Sequence, residues 1–192
     1  MAEKKNNKPV VFLTGASGSM GHEAFKLLWE KRDVYDIVLL QRPSRRNKKM
    51  FAPYEKAAGV RPTPGRGIVV GNGLKIVWGD ATTRKDLEEA CRGIDWCLSP
   101  MGLISPEADR DPGRAHAVNT VAVRNLVEIL EEQGRHHIKL VYIGTIAEYG
   151  DRLAPIHHGR VGDPIFPSLF DRYATSKIGG ELAVMESDLR WW

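Results

Sequence analysis

The sequence predicts a doubly wound α/β fold, a parallel sheet of strand order 3-2-1-4-5 with helices on both faces. Three observations carry this expectation. Short, mainly apolar runs, among them Val10-Val11-Phe12-Leu13 and Tyr35–Leu40, alternate with stretches of helical periodicity, as in strands covered on both faces. A glycine-rich turn, Thr14-Gly15-Ala16-Ser17-Gly18-Ser19-Met20-Gly21, joins the first run directly to the first helix. The residues richest in chemistry fall at the carboxyl ends of the strands, where such sheets bind ligands.

In chain order, residues 1–8 read as a polar tail and the domain as 9–192. The first strand is expected over 9–14 and the first helix over 20–31. The second strand spans 35–40. A long break follows over 41–73, rich in proline and glycine, with room for one short helix near 48–58 and otherwise read as a basic loop. The third strand, 74–78, ends at Gly79-Asp80, and a helix covers 84–91. The fourth strand, 95–99, leads into Pro100-Met101-Gly102. The helix over 112–133 places Val118, Val121, Leu126, Ile129 and Leu130 at helical spacing. The fifth strand is 138–144. An irregular segment, 146–170, precedes a helix over 172–186, and Leu189-Arg190-Trp191-Trp192 begins a sixth strand.

Composition narrows the classes. At 192 residues, 42% hydrophobic and 27% charged, the chain suits a single globular domain with a core. No apolar run approaches the ~20 residues of a membrane span. The N-terminus lacks an apolar signal region, which implies the cytoplasm. Cys91 and Cys97 have neither CxxC spacing nor nearby histidines. They read as reduced packing residues, and no metal site is expected. The net charge of +4 is concentrated. Residues 41–66 hold eight Lys/Arg against Glu55 alone, leaving the rest of the chain at −3. A basic segment of this kind, without a basic face across the fold, weighs against nucleic acid as the partner.

Each glycine of the turn has a physical reason. Gly15 permits the sharp exit from the strand, Gly18 lets backbone N–H groups approach phosphate oxygens, and Gly21 lets helix and strand pack closely. The spacing is G-x-x-G-x-x-G, and the Gly-Lys-Ser/Thr of a Walker loop is absent. A second constellation lies far along the chain. Tyr173 and Lys177 stand one turn apart on one helix face. A tyrosine hydroxyl ordinarily titrates near ~10, and a neighbouring ammonium favours the phenolate. The pair can then exchange a proton with a substrate hydroxyl or carbonyl. Thr145, at the end of the fifth strand, can hold the same substrate oxygen or cap a turn.

With these motifs the chain resembles the extended short-chain dehydrogenase/reductases of the NAD(P)-dependent epimerase/dehydratase type. The resemblance rests on Thr14–Gly21, Gly79-Asp80, Asn119 within Val118-Asn119-Thr120, Val141–Gly150, and Tyr173-Ala-Thr-Ser-Lys177. It implies a Rossmann-like domain and contacts to a dinucleotide from Gly15, Ser17, Gly18, Ser19, Met20 and Gly21 in the turn. Further contacts would come from Gln41, Arg42 and Arg45 after the second strand, and from Asp80 and Ala81 after the third, with Asp80 on the adenine amino group. Ser99, Pro100 and Met101 would line the fourth strand's end. It also implies Tyr173 as general acid/base, and Lys177 depressing its pKa and binding the nicotinamide ribose. Thr145 would stand in place of the usual serine. Asn119 would support Lys177 through a water or hold the helix backbone, and a buried structural asparagine is the competing reading.

The second strand ends without the acid that would take a ribose 2′-OH. Gln41-Arg42, then Arg45 and Arg46, stand there instead. Guanidinium groups suit phosphate, which favours NADP over NAD. Family members continue well past Tyr-x-x-x-Lys. This chain ends fifteen residues after Lys177, so the substrate-binding portion is expected to be missing. The expected function is NAD(P)-dependent oxidoreduction or epimerisation/dehydration at a hydroxyl or carbonyl of a nucleotide-sugar or similar small molecule. A non-catalytic NAD(P)-binding module or inactive remnant is the alternative. A homodimer through the helices over 112–133 and 172–186 is the assembly that the resemblance implies.

Overall fold

Phe12 and Leu13 point to opposite faces of one sheet, and each enters its own core. The computed structural model describes residues 8–62, 67–133, 137–150, 160 and 162–192. The central strand β1 (Val10–Leu13) lies between β2 (Asp36–Gln41) and β6 (Trp96–Ser99), parallel to both. Outward from β2 comes β5 (Leu74–Trp78), and outward from β6 comes β7 (Lys139–Tyr142), again parallel. The run β5-β2-β1-β6-β7 reproduces the expected order 3-2-1-4-5. Among the described residues the sheet has eight strands, the other three lying beyond β5 and β7.

The additions lie at the two edges. The sixth strand is formed as β8 (Arg190–Trp191), parallel to β7, with Trp192 N–H donating to Leu140 O at 2.9 Å. At the other edge, β3 (Arg61–Pro62) and β4 (Ile68–Gly71) run antiparallel. This edge corrects two expectations, that the whole sheet is parallel and that 41–73 is mainly loop. Asn72-Gly73 closes a two-residue hairpin between β4 and β5, because such a pair turns the chain tightly enough for the flanking apolar runs to meet. Upstream, the helix is longer than expected and starts earlier. It is α2 (Arg45–Ala57), with the Ser44 hydroxyl accepting from Asn47 N–H at 3.1 Å.

Alternation along the strands divides the core. Phe12, Val38, Leu40, Val77, Cys97 and Leu140 face a layer formed by α3 (Arg84–Ala90), α6 (Ala122–Glu132) and α7 (Arg172–Met185). Leu13, Ile37, Leu39, Leu74 and Ile76 face α1 (Ser19–Glu30) and α2. Phe25 of α1 packs edge-on against Phe51 and Tyr54 of α2, with centroids 5.4 and 4.7 Å apart. Edge-to-face pairs of this kind prefer fixed geometry, so they set where the basic N-terminus of α2 lies. Two short helices, α4 (Glu107–Arg110) and α5 (Pro112–His116), precede a π-helical stretch at Ala117–Val121 that runs into α6. The expected single helix over 112–133 is therefore continuous but carries an inserted residue. Cys91 and Cys97 are both buried thiols of the core that holds Phe12, and burial pushes the Cys97 thiol up. Among the described residues no helix is long and apolar enough to cross a membrane, and no His/Cys/Asp/Glu group could hold a metal.

Candidate active site

The glycine turn is fixed by contacts to the end of β6. Gly15 has φ +62°, a conformation that side chains resist. A Cβ there would also press on Met101 Cα at 3.1 Å. A Cβ at Gly21 would overlap Gly15 O and Ala16, so glycine there is what allows α1 to start against the strand. Thr14 joins the turn to the end of β6. Its hydroxyl lies 3.3 Å from Ser99 Oγ and accepts from Met101 N–H at 3.3 Å. Gly15, Ser99, Pro100 and Met101 therefore form one wall.

Gly18 is the N-cap of α1. It is exposed, no side chain caps the helix, and its first turn carries no acid. Ser19 and Met20 are also exposed and Ser17 half-buried. The first N–H groups of a helix have no intrahelical partner, and together with the helix dipole they attract anions.

The wall continues along β2 and β5. Gly79 N–H donates to Gln41 O at 2.9 Å, which seats Asp80 beside Gln41. Asp80 Oδ1 accepts from Thr82 N–H and its hydroxyl, at 2.9 and 2.8 Å. Asp80 thus orders its own turn, with Ala81 half-buried within it. Gln41 is 2% exposed, yet its Nε2 has no hydrogen-bond partner. Arg42, Arg45 and Arg46 are exposed around the N-terminus of α2. Asn47 Nδ2 donates to Arg42 O at 3.0 Å, which holds that loop on the helix.

The second constellation lies at the ends of β7 and α7. The Asp171 carboxylate caps α7, accepting from Ala174 N–H at 2.8 Å. Tyr173 is half-buried, while Lys177, one turn on, is only 3% exposed. Lys177 Nζ donates to Ile143 O and sits 4.2 Å from the Tyr142 ring centroid. Burial brings Lys177 down to about 8, against the opposing charges of Glu181 and Glu148. Thr145, two residues beyond Ile143, accepts from Ala147 N–H at 3.2 Å and caps the 3-10 turn Ile146–Tyr149. Its hydroxyl proton is left for another acceptor.

Asn119 is fully buried in the π-helical stretch. Its Oδ1 accepts from Leu103 N–H at 2.7 Å, and its Nδ2 donates to Leu103 O and Ser176 Oγ, both at 2.9 Å. Both N–H bonds are committed to tying the loop after β6 to α7. The geometry supports the competing reading of Asn119 as a buried structural asparagine, with one acceptor lone pair to spare.

Sequence reasoning missed the groups around Lys177. Burial raises Glu181 to about 7, with Glu148 adding to the rise, and pushes the Tyr142 hydroxyl well above its usual value. Glu181 stands four residues after Lys177, a spacing visible in the sequence. Glu148 and Tyr142 become neighbours only once the turn after β7 folds back.

A model of the NAD dependent epimerase/dehydratase family matches residues 11–188. The chain belongs to this family. No curated protein matches the sequence. Among solved structures, the UDP-Glc/GlcNAc 4-epimerase from Campylobacter jejuni is similar at TM-score 0.72 and 18% identity, over 93% of this chain and 48% of that one. The UDP-N-acetylglucosamine 4-epimerase from Methanobrevibacter ruminantium M1, solved with UDP-N-acetylmuramic acid, gives 0.70 and 20%, over 96% and 53%. WbmG from Bordetella bronchiseptica, solved with NAD, gives 0.70 and 18%, over 99% and 53%. At these identities the likeness is one of fold. The chain spans about half the length of each of these structures.

Proposed function

We propose that the chain binds an NAD(P)-type dinucleotide across the carboxyl ends of β5, β2, β1 and β6, and that Tyr173, Lys177 and Thr145 serve chemistry at a hydroxyl or carbonyl carbon of a nucleotide-sugar. The observation that carries this reading is the exposed, uncapped N-terminus of α1 at Gly18, walled by Met101 and reached through a glycine turn that Cβ atoms would close. A pyrophosphate fits that cradle. The family match supports it, as do similar structures that are UDP-sugar 4-epimerases or were solved with NAD.

The orphaned Nε2 of buried Gln41, beside three exposed arginines and an acid-free first helical turn, supports a 2′-phosphate and so NADP. When bound, the nicotinamide supplies hydride transfer. The chain's own residues handle the oxygen. Thr145 orients it through its free hydroxyl proton, and Tyr173 takes or returns the proton on it. Lys177, held as an ammonium one turn away, lowers the cost of the Tyr173 phenolate.

Titration of the chain with NADPH and NADH, followed by nicotinamide fluorescence, tests the reading. Saturable binding with NADPH the tighter is expected. Preference for NADH would remove the arginine assignment, and binding of neither by the folded chain would overturn the proposal.

A further inference from the structure

Ser176 carries one hydroxyl and uses it twice. The side chain is 5% exposed on α7, in the turn that follows Tyr173. Its Oγ accepts from Asn119 Nδ2 at 2.9 Å and donates to Tyr173 O at 2.8 Å. The direction of this chain of bonds is fixed at its far end. Leu103 N–H donates to Asn119 Oδ1 at 2.7 Å, and Leu103 O accepts from Asn119 Nδ2 at 2.9 Å, so the amide fits in one orientation. Asn119 then has one N–H left for Ser176, and the Ser176 proton is left for Tyr173 O. The next residue of the π-helical stretch grips the same serine, Thr120 Oγ1 donating to Ser176 O at 2.6 Å. Neighbouring side chains of an α-helix point about 100° apart. Here both Asn119 and Thr120 are buried against α7, and π insertions of this kind are frequent at functional sites. Gly180 allows the close approach, because a Cβ there would overlap Asn119 O.

We propose that Ser176 is a positioning residue, which ties the Tyr173 peptide to the loop after β6 and so keeps the tyrosine in a fixed place relative to the dinucleotide wall. The wall end of the connection is also held. Met101, two residues before Leu103, donates its N–H to Thr14 Oγ1 at 3.3 Å and sets its Cα where a Cβ of residue 15 would press. Asp171 and Thr175 brace the first turn of α7 as well, but their bonds stay within that helix and its cap. Ser176 carries the tie to another element. Alanine at 176 keeps the helix but strands one Asn119 N–H in a buried place, and a stranded donor there costs more than the bond itself gained. The loop after β6 and the turn that bears Tyr173 are then free to open independently.

This role rests on that of Tyr173 given above, but it is read in the free chain, so failure to bind a dinucleotide and failure of the tie are separate results. The experiment is hydrogen exchange by NMR on the full chain, following backbone amides and the Asn119 side-chain amide. In the wild type both Asn119 Nδ2 protons should exchange at least about tenfold slower than those of an exposed asparagine. Ser176→Ala should release one of them and move the Tyr173 carbonyl carbon upfield. It should also accelerate the Leu103 and Ala174 amides together, by about tenfold relative to the amides of β1. Thr120→Val has nearly the same shape as the wild type and removes the other bond to Ser176 while sparing the hydroxyl chain. It should leave Leu103 within about twofold and the Tyr173 carbonyl unmoved. Equal effects from the two variants would mean ordinary helix packing and overturn the proposal, as would Leu103 and Tyr173 signals indifferent to Ser176→Ala. The wild type alone overturns it if either Asn119 Nδ2 proton exchanges as fast as an exposed amide, whether or not a variant folds.

Discussion

Replacing Lys177 by methionine keeps an unbranched apolar stem and removes a charge that the fold holds at a cost. In the folded chain Lys177 titrates at about 8, against an ordinary 10.5. Below pH 8 that difference of about 2.5 units corresponds to about 3 kcal/mol of destabilisation. The methionine variant recovers it but strands Ile143 O, at about 1–3 kcal/mol, so at pH 7 the two chains should differ little. The pH dependence separates the effects. Between about 8 and 10.5 the unfolded lysine binds the proton that the folded one has lost, so stability of the wild type rises with pH across that window. The variant lacks the rise. Tyr142, raised in the fold, acts in the opposite direction only above its ordinary value near 10, which sets the upper limit of the assay. Urea denaturation at pH 7 and pH 10 should show the wild type gaining about 2–3 kcal/mol relative to Lys177→Met. Parallel pH profiles would refute the buried ammonium.

Gly21→Ala forces a methyl into Gly15 O, and urea unfolding should show a loss of about 1–3 kcal/mol together with weaker dinucleotide binding. Asn119→Ala leaves the Leu103 N–H and C=O without their side-chain partners. It should lose about 2–4 kcal/mol in the same assay, and hydrogen exchange at Leu103 should accelerate. Asp171→Ala removes the cap of α7 at about 1 kcal/mol, read as a lower urea midpoint. Joint replacement of Arg42 and Arg45 by alanine should weaken NADPH at least about tenfold and leave NADH within about twofold, one charged hydrogen bond being worth about 1.5–3 kcal/mol. Equal losses for both would reassign the arginines to general electrostatics.

The central sheet was legible because its five strands are short, mainly apolar runs, and doubly wound connectivity then leaves few orders. The edge beyond β5 was obscured by its composition. Pro62 and the surrounding glycines read as loop, although Asn72-Gly73 between Ile68–Gly71 and Leu74–Trp78 is a strong hairpin signal. The start of α2 at Arg45 was hidden by a run of charges, and Phe51 and Tyr54 reveal the helix only through their packing on Phe25. The π-helical stretch leaves no mark in the periodicity, yet it is what turns Asn119 inward.

In the candidate site, single-residue motifs were legible and tertiary neighbours were not. Gly15, Gly21, Tyr173 and Lys177 follow from spacing. That Lys177 reaches Ile143 O depends on how the end of β7 packs on α7, for which there is no local sequence signal. Thr145 caps the turn after β7, and its hydroxyl proton stays available to another acceptor.

Amide NMR of the chain titrated with NADPH tests most directly the claim that a dinucleotide pyrophosphate rests on the N-terminus of α1. The largest shifts are expected at Gly18, Ser19, Met20 and Gly21, with a second group at Met101 and Leu103, all saturating at one midpoint and lost in Gly18→Val. Saturable binding that shifts only residues 42–60 and leaves the Gly18–Gly21 amides unmoved would contradict it.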